Sequence, residues 1–139
     1  MFGLRKSYRF RDCLDGTSNT LLASETIIRG STGGGWGAMG GYWGGAIFAS
    51  YGFSSAEPPN TTLPDYIRVC KSKNFPKAPC EDVAEHSHRQ FHNFARSQHA
   101  GGVLTVLCDG SVRFVTDSIQ RQIWRDLGNR ADGRSIGEW

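Results

Sequence analysis

The sequence predicts an α+β fold, an antiparallel sheet with short flanking helices. Three observations carry that prediction. Two β-rich runs, Val103 to Cys108 and Ser111 to Val115, flank the dipeptide Asp109-Gly110, which tolerates the positive φ angles of a tight hairpin turn. Thr20 to Ile28 is another extended run, buried in character at its start and β-branched at its end. Beyond the hairpin the period changes, and Ile119, Ile123, Trp124 and Leu127 form the apolar stripe of a helix.

Composition sets the bounds. A chain of 139 residues suits one domain, 1–139. Hydrophobic residues make up 38% and glycine fills 18 positions, which means a lean core and a large share of loop. The net charge of +3 is too small to indicate nucleic acid as a partner. Arg5, Lys6, Arg9 and Arg11 cluster without an acid near the start and read as a solvated terminus. No run approaches the ~20 apolar residues of a membrane-crossing helix.

Taken in order, residues 7–14 suit a short helix or turn ended by Asp15-Gly16. Asp15, Gly16, Thr17, Ser18 and Asn19 favour a tight turn, because such side chains bond nearby backbone. They bring too few carboxylates for a calcium loop. Glu25 is the one acid of the strand that follows placed to be partly enclosed, though an exposed strand position is the more expected reading for it. Gly30 to Gly45 mixes glycine with Trp36, Met39, Tyr42 and Trp43, a composition that resists long regular structure and lacks a phosphate-loop ending. Ala46 to Ala49 with Tyr51 suits a short strand, 58–64 a turn-rich connection, Asp65 to Val69 a strand and Lys71 to Glu81 a loop. In the hairpin a two-residue turn would pair Cys108 with Ser111, Leu107 with Val112, Val106 with Arg113 and Leu104 with Val115. Both faces are then largely apolar, as in a covered hairpin. Asp117 is placed to cap the last helix, with Gln120 at the capping-box position and Gly128 at its end.

Several groups invite a chemical reading. Cys13, Cys70, Cys80 and Cys108 allow two disulfides in three connectivities. Cys70 and Cys80 flank a Lys/Pro-rich loop and suit local closure. A Cys13–Cys108 bridge would close a long loop and stabilise by ~2–4 kcal/mol if unstrained. Four buried thiols are the alternative in a reducing compartment. His86, His88, His92 and His99 with Cys70 and Cys80 resemble a metal cluster only superficially. His88 and His92 have a workable helical spacing, yet no His-Glu-x-x-His and no Cys-x2-Cys occurs, so surface histidines and no metal are expected. His99, Asp109 and Ser111 do not make a triad, since a turn accounts for Asp109 and Ser111 lacks a strand-turn-helix elbow. Neither an enzyme nor a cofactor is therefore expected. Trp36, Tyr42 and Trp43 offer an alternative function, a carbohydrate or peptide held on apolar ring faces.

Three blocks carry a resemblance. Nine residues separate His99 from Asp109, in Ser97-Gln98-His99-Ala100-Gly101-Gly102, an apolar strand, then Asp109-Gly110-Ser111-Val112-Arg113-Phe114. Upstream stands Asp15-Gly16-Thr17-Ser18-Asn19-Thr20-Leu21-Leu22 with Glu25 close behind, and the tail adds Asp117, Ser118, Ile119, Trp124, Leu127 and Gly128. In these blocks the sequence resembles bacterial prepilin-type proteins ending in a His-x9-Asp-Gly domain, the domain of unknown function 1559. Gln98 and Ala100 depart from that family's usual Arg and Pro.

The resemblance implies a non-enzymatic, pilin-like or pseudopilin-like protein of the cell envelope or the cell exterior. Its partners would be other pilin-like subunits or secretion and assembly machinery. It also marks His99, Asp109, Gly110, Asp15, Gly16, Ser18, Asn19 and Glu25 as signature positions, without giving their roles. From its own chemistry, the His99 ring is expected to bond the hairpin backbone or the Asp15 loop. Family members begin with a prepilin leader and a long apolar anchor helix, whereas residues 1–11 here hold no such segment. The chain is thus expected to be the globular part, with the anchor helix absent and an apolar patch exposed where that helix would pack.

Overall fold

The computed structural model describes residues 7–28, 52–67, 69–70, 73–83, 92–134, 136–137 and 139. Its strands are β1 (Leu21–Ser24), β2 (Asp65–Ile67), β3 (Cys80–Asp82), β4 (Gly102–Leu107) and β5 (Val112–Thr116), and its helix is α1 (Arg121–Gly128). The architecture is α+β. A three-stranded antiparallel sheet runs in the order β1-β4-β5, and β2 and β3 form a separate parallel pair. No helix among the described residues is long and apolar enough to cross a membrane.

The stretch before the sheet holds two 3-10 turns, Phe10–Asp12 and Thr17–Asn19. The β1 strand is shorter than the expected Thr20 to Ile28. It carries a register irregularity between Leu21 and Ala23 and stops at Ser24. Beyond that point the Glu25 carbonyl accepts the Arg96 N–H at 3.0 Å, so the chain pairs with the segment before β4 instead of β4 itself.

The hairpin is where the structure corrects the expected register. Its pairs are Val103 with Val115, Leu104 with Phe114, Thr105 with Arg113 and Val106 with Val112, one residue away from the two-residue-turn arrangement. Leu107 N–H donates to Ser111 O at 2.9 Å, leaving Cys108, Asp109 and Gly110 as a three-residue loop. Gly110 N–H closes the turn on Leu107 O at 2.9 Å, and of the loop residues Gly110 alone has positive φ, at +85°. A type I′ turn needs two such residues, whereas a type I turn followed by a left-handed glycine needs one.

A one-residue slip reverses which side chains face the core. Val103, Thr105, Leu107 and Val115 point inward and are buried. They pack with Leu21, Ala95, Trp124 and Leu127 into the main core, which Phe53, Ile119, Ile123, Ile136 and Trp139 flank. The hairpin is therefore not covered on both sides. Its outer face exposes Leu104 (39%), Phe114 (48%) and Val112 (61%), with Val106 between them half-buried. An exposed apolar patch thus stands on residues that the slipped register selects.

The final helix buries the expected stripe, with Trp124 and Leu127 at its centre. Its cap differs from expectation. Gln120 occupies the N-cap with no side-chain cap bond, and Asp117 is drawn away to accept the Asn60 amide at 2.8 Å. Arg121 and Arg125 instead hold the helix to the Ala56 carbonyl at 3.2 and 2.9 Å, and Arg121 also pairs with Glu57. Gly128, the last residue of the helix, is required by packing, since a Cβ there would lie 1.8 Å from Ser55 Oγ.

Cys80 and Glu81, expected at the end of a loop, form β3 with Asp82 beside β2. The Cys70–Cys80 disulfide joins the segments that follow and begin these strands. Isolated bridges from Tyr66 to His92 and from Ser54 to Phe94 carry the backbone pairing onward. The expected strand at 46–49 lies outside the described residues.

Candidate functional site

Antiparallel pairing of β1 with β4 brings the two motif blocks together at both ends of β4. The nine residues between His99 and Asp109 are a short turn, the whole of β4 and Cys108. At ~3.3 Å per residue, β4 keeps His99 about 20 Å from Asp109 and Ser111. These three residues thus belong to two separate places.

At the tip, Asp109 N–H donates to Thr17 O (3.2 Å) and Cys108 N–H to Thr20 O (2.8 Å). The Thr20 hydroxyl donates to Gly16 O at 2.9 Å and the Asn19 amide to Asp15 O at 3.3 Å, so the 15–20 turn holds itself. Ser18 is exposed within it. The Asp15 carboxylate accepts the N–H groups of Asp132 (2.8 Å) and Gly133 (2.9 Å), clasping the C-terminal segment. The Asp109 carboxylate accepts from the Ser111 hydroxyl (2.7 Å) and N–H (2.9 Å). Those two bonds, the hydroxyl first, hold its carboxyl below the ordinary 3.8. Cys13 and Cys108 meet beneath this tip as buried thiols. Burial, and then the hydrogen bond with Cys13, pushes the Cys108 thiol up to about 11.

At the other end, His99 Nε2 lies 3.2 Å from Glu25 Oε1, with side-chain exposures of 54% and 30%. The His99 ring bonds this carboxylate and neither the hairpin backbone nor the Asp15 loop. It also stands edge-on to Phe114, with ring centroids 6.5 Å apart. Glu25 Oε2 is buried with no hydrogen-bond partner among the described residues. Ser97 sets the turn: its hydroxyl donates to Gly102 O at 2.7 Å and accepts the His99 N–H at 3.0 Å.

His99 borders an open groove of about 520 Å³ whose walls include Thr61, Thr62, Asn74, Phe75 and Asp117. Arg96, a residue the motif reading passed over, fixes those walls. It is fully buried and pairs with fully buried Asp65 at 3.0 Å. Its Nη1 donates to Thr61 O (2.6 Å) and Lys77 O (3.0 Å), and its Nη2 to Leu63 O (2.6 Å). A guanidinium satisfied in this way can remain buried, and its planar fork can bind several fixed acceptors together. Asn60 ties the remaining wall. Its amide donates to Gly102 O (3.3 Å) and Asp117 Oδ1 (2.8 Å), and its Oδ1 accepts the Ser97 N–H (2.8 Å). The sequence signal for Asn60 was its place after Pro58-Pro59, where asparagine favours a left-handed turn. Arg96 had only its charge inside the run Phe94-Ala95-Arg96 to mark it.

Other candidates fall elsewhere. His92 stacks on Phe94 with centroids 6.4 Å apart, and its backbone pairs with Tyr66. His86, His88, Trp36, Tyr42 and Trp43 lie outside the described residues.

Comparison with known proteins gives one match. The family model described as "Protein of unknown function (DUF1559)" matches residues 1–122. No curated protein and no solved structure matches the chain.

Proposed function

We propose that this chain, which belongs to the DUF1559 family, is a pilin-like subunit domain of the cell envelope or surface that works by assembly and not by catalysis. The observation that carries this reading is the outer face of the β4–β5 hairpin. Leu104, Val112 and Phe114 form one exposed apolar strip on a sheet whose other face buries Val103, Thr105, Leu107 and Val115. Such a strip gains free energy by leaving water, at about 25 cal/mol per Å² of apolar surface. A long apolar helix laid along the hairpin is the partner that a pilin-like architecture supplies. The signature residues support a structural role, since Asp15, Asn19 and Asp109 spend their side chains on neighbouring backbone.

The deciding experiment is to read the coding DNA upstream of Met1 in frame. A prepilin leader followed by ~20 apolar residues supports the assembly reading. A nearby stop codon with a ribosome-binding site of its own would sink it. In cells that make the full subunit, Val112→Glu with Phe114→Glu is expected to remove the protein from the assembled fraction while leaving the head folded.

A further inference from the structure

We propose that the groove beside His99 is a binding site for a neutral saccharide. The first support is where the backbone is strained. Asn60 (φ 52°) and Lys77 (φ 61°) are the non-glycine residues with positive φ among those described, and both line this groove. Asparagine tolerates that conformation, but lysine gains nothing local from it. Such residues persist where the surroundings over-determine them, and they gather at ligand sites. Arg96 does the determining here, through its bonds to the carbonyls of Lys77 and Thr61. The walls are therefore set before any ligand arrives, and binding is spared the loss of loop freedom.

The second support is the chemistry of the lining. Phe75 supplies an aromatic ring, half-buried at the groove wall. Around it stand the Thr61 and Thr62 hydroxyls, the Asn74 amide and the Asp117 carboxylate, which offer both donors and acceptors. Lys77, whose Nζ donates to Gln98 O at 3.3 Å, and Asp117 bring one charge of each sign to the lining, and the Glu25 carboxylate stands 3.2 Å from His99 Nε2. The groove thus carries no excess of positive charge to select a phosphate or a polyanion. It is open, and lacks the enclosure that a lipid or a hydrophobic ligand needs. A flat ring beside hydroxyl, amide and carboxylate groups matches the apolar face and hydroxyl rim of a sugar. The groove lining holds none of Leu104, Val112 and Phe114, although His99 at its rim stands edge-on to Phe114.

The test is a glycan array carrying neutral and acidic oligosaccharides, probed with the whole chain, followed by amide NMR titration with the best neutral hit. Neutral glycans are expected to bind, with shifts centred on Thr62, Asn74 and His99. Phe75→Ala and Asn74→Ala should each weaken binding about tenfold, the loss of one ring or hydrogen-bond contact. Asn74 is exposed, so Asn74→Ala carries the test if Phe75→Ala unfolds. Binding confined to acidic glycans, no binding at all, or binding that survives both variants would overturn the proposal. So would binding lost in Trp36→Ala with Trp43→Ala but kept in Phe75→Ala, which would place the ligand on the glycine-rich segment.

Discussion

Arg96 spans the widest set of contacts of any side chain around the groove, reaching Asp65 and the carbonyls of Thr61, Leu63 and Lys77. Arg96→Met takes the cation away from buried Asp65 and strips those carbonyls of a donor. The expected loss is about 3–5 kcal/mol, as for other buried pairs broken on one side, read by urea unfolding. Adding Asp65→Asn should recover part of it, because the second change removes the charge left behind. Cys108 gives a pH-dependent prediction. Its folded thiol sits at about 11 against an ordinary 9.0, from burial and the bond with Cys13. The folded state therefore holds the proton more tightly than the unfolded chain. The resulting stability is complete below pH 9 and falls as pH rises from 9 towards 11. Unfolding curves across that range should show the decline in the parent and a flatter profile in Cys108→Ala. The same proximity predicts that a glutathione disulfide, by exchange, joins Cys13 to Cys108 and leaves as two thiols. Peptide mass mapping checks this, and the raised pKa should make the reaction slow. Position in the sequence hinted at this pair, but only the fold brings the two thiols together.

The β4–β5 hairpin separates what a local motif can specify from what it cannot. Asp109-Gly110 announced a turn, and the turn is there. Its length was not legible, because the same dipeptide serves two-residue and three-residue loops. Tertiary bonds choose between them: Asp109 docks its N–H on Thr17 O, and its carboxylate engages Ser111. Gly110 then takes the left-handed position alone. Gly110→Ala should destabilise by about 1 kcal/mol and Gly110→Asn by less, since asparagine visits that region more readily. Thermal unfolding of the two variants side by side checks the order. The last helix teaches the same lesson. Its apolar stripe was plain in the sequence, whereas its cap was misplaced because Asn60, 57 residues earlier, claims Asp117.

At the scale of the whole molecule, the described residues form a three-stranded sheet with one helix beside a small parallel pair, and the Arg96–Asp65 pair sits where the two meet. The Cys70–Cys80 bridge closes a short loop within the smaller part. Replacing both cysteines by serine should lower stability by about 2–3 kcal/mol, mostly by freeing the unfolded chain. Denaturant midpoints with and without reductant are the measurement, and the double variant should lose its sensitivity to reductant. The groove beside His99 depends on both parts of the molecule, with Asn74 and Phe75 on one side and His99 and Asp117 on the other.

The sequence alone determined the α+β class, the hairpin and the apolar stripe of the last helix, and it favoured the local Cys70–Cys80 closure. Each of these is written in periodicity or in residues close together along the chain. Tertiary structure decided the hairpin register, the parallel β2–β3 pair, the partner of His99 and the walls of the groove. These rest on contacts between residues far apart in sequence, such as His99 with Glu25 and Arg96 with Asp65. A backbone carbonyl carries no side-chain signature, so no reading of residue types reveals which one a buried arginine will hold.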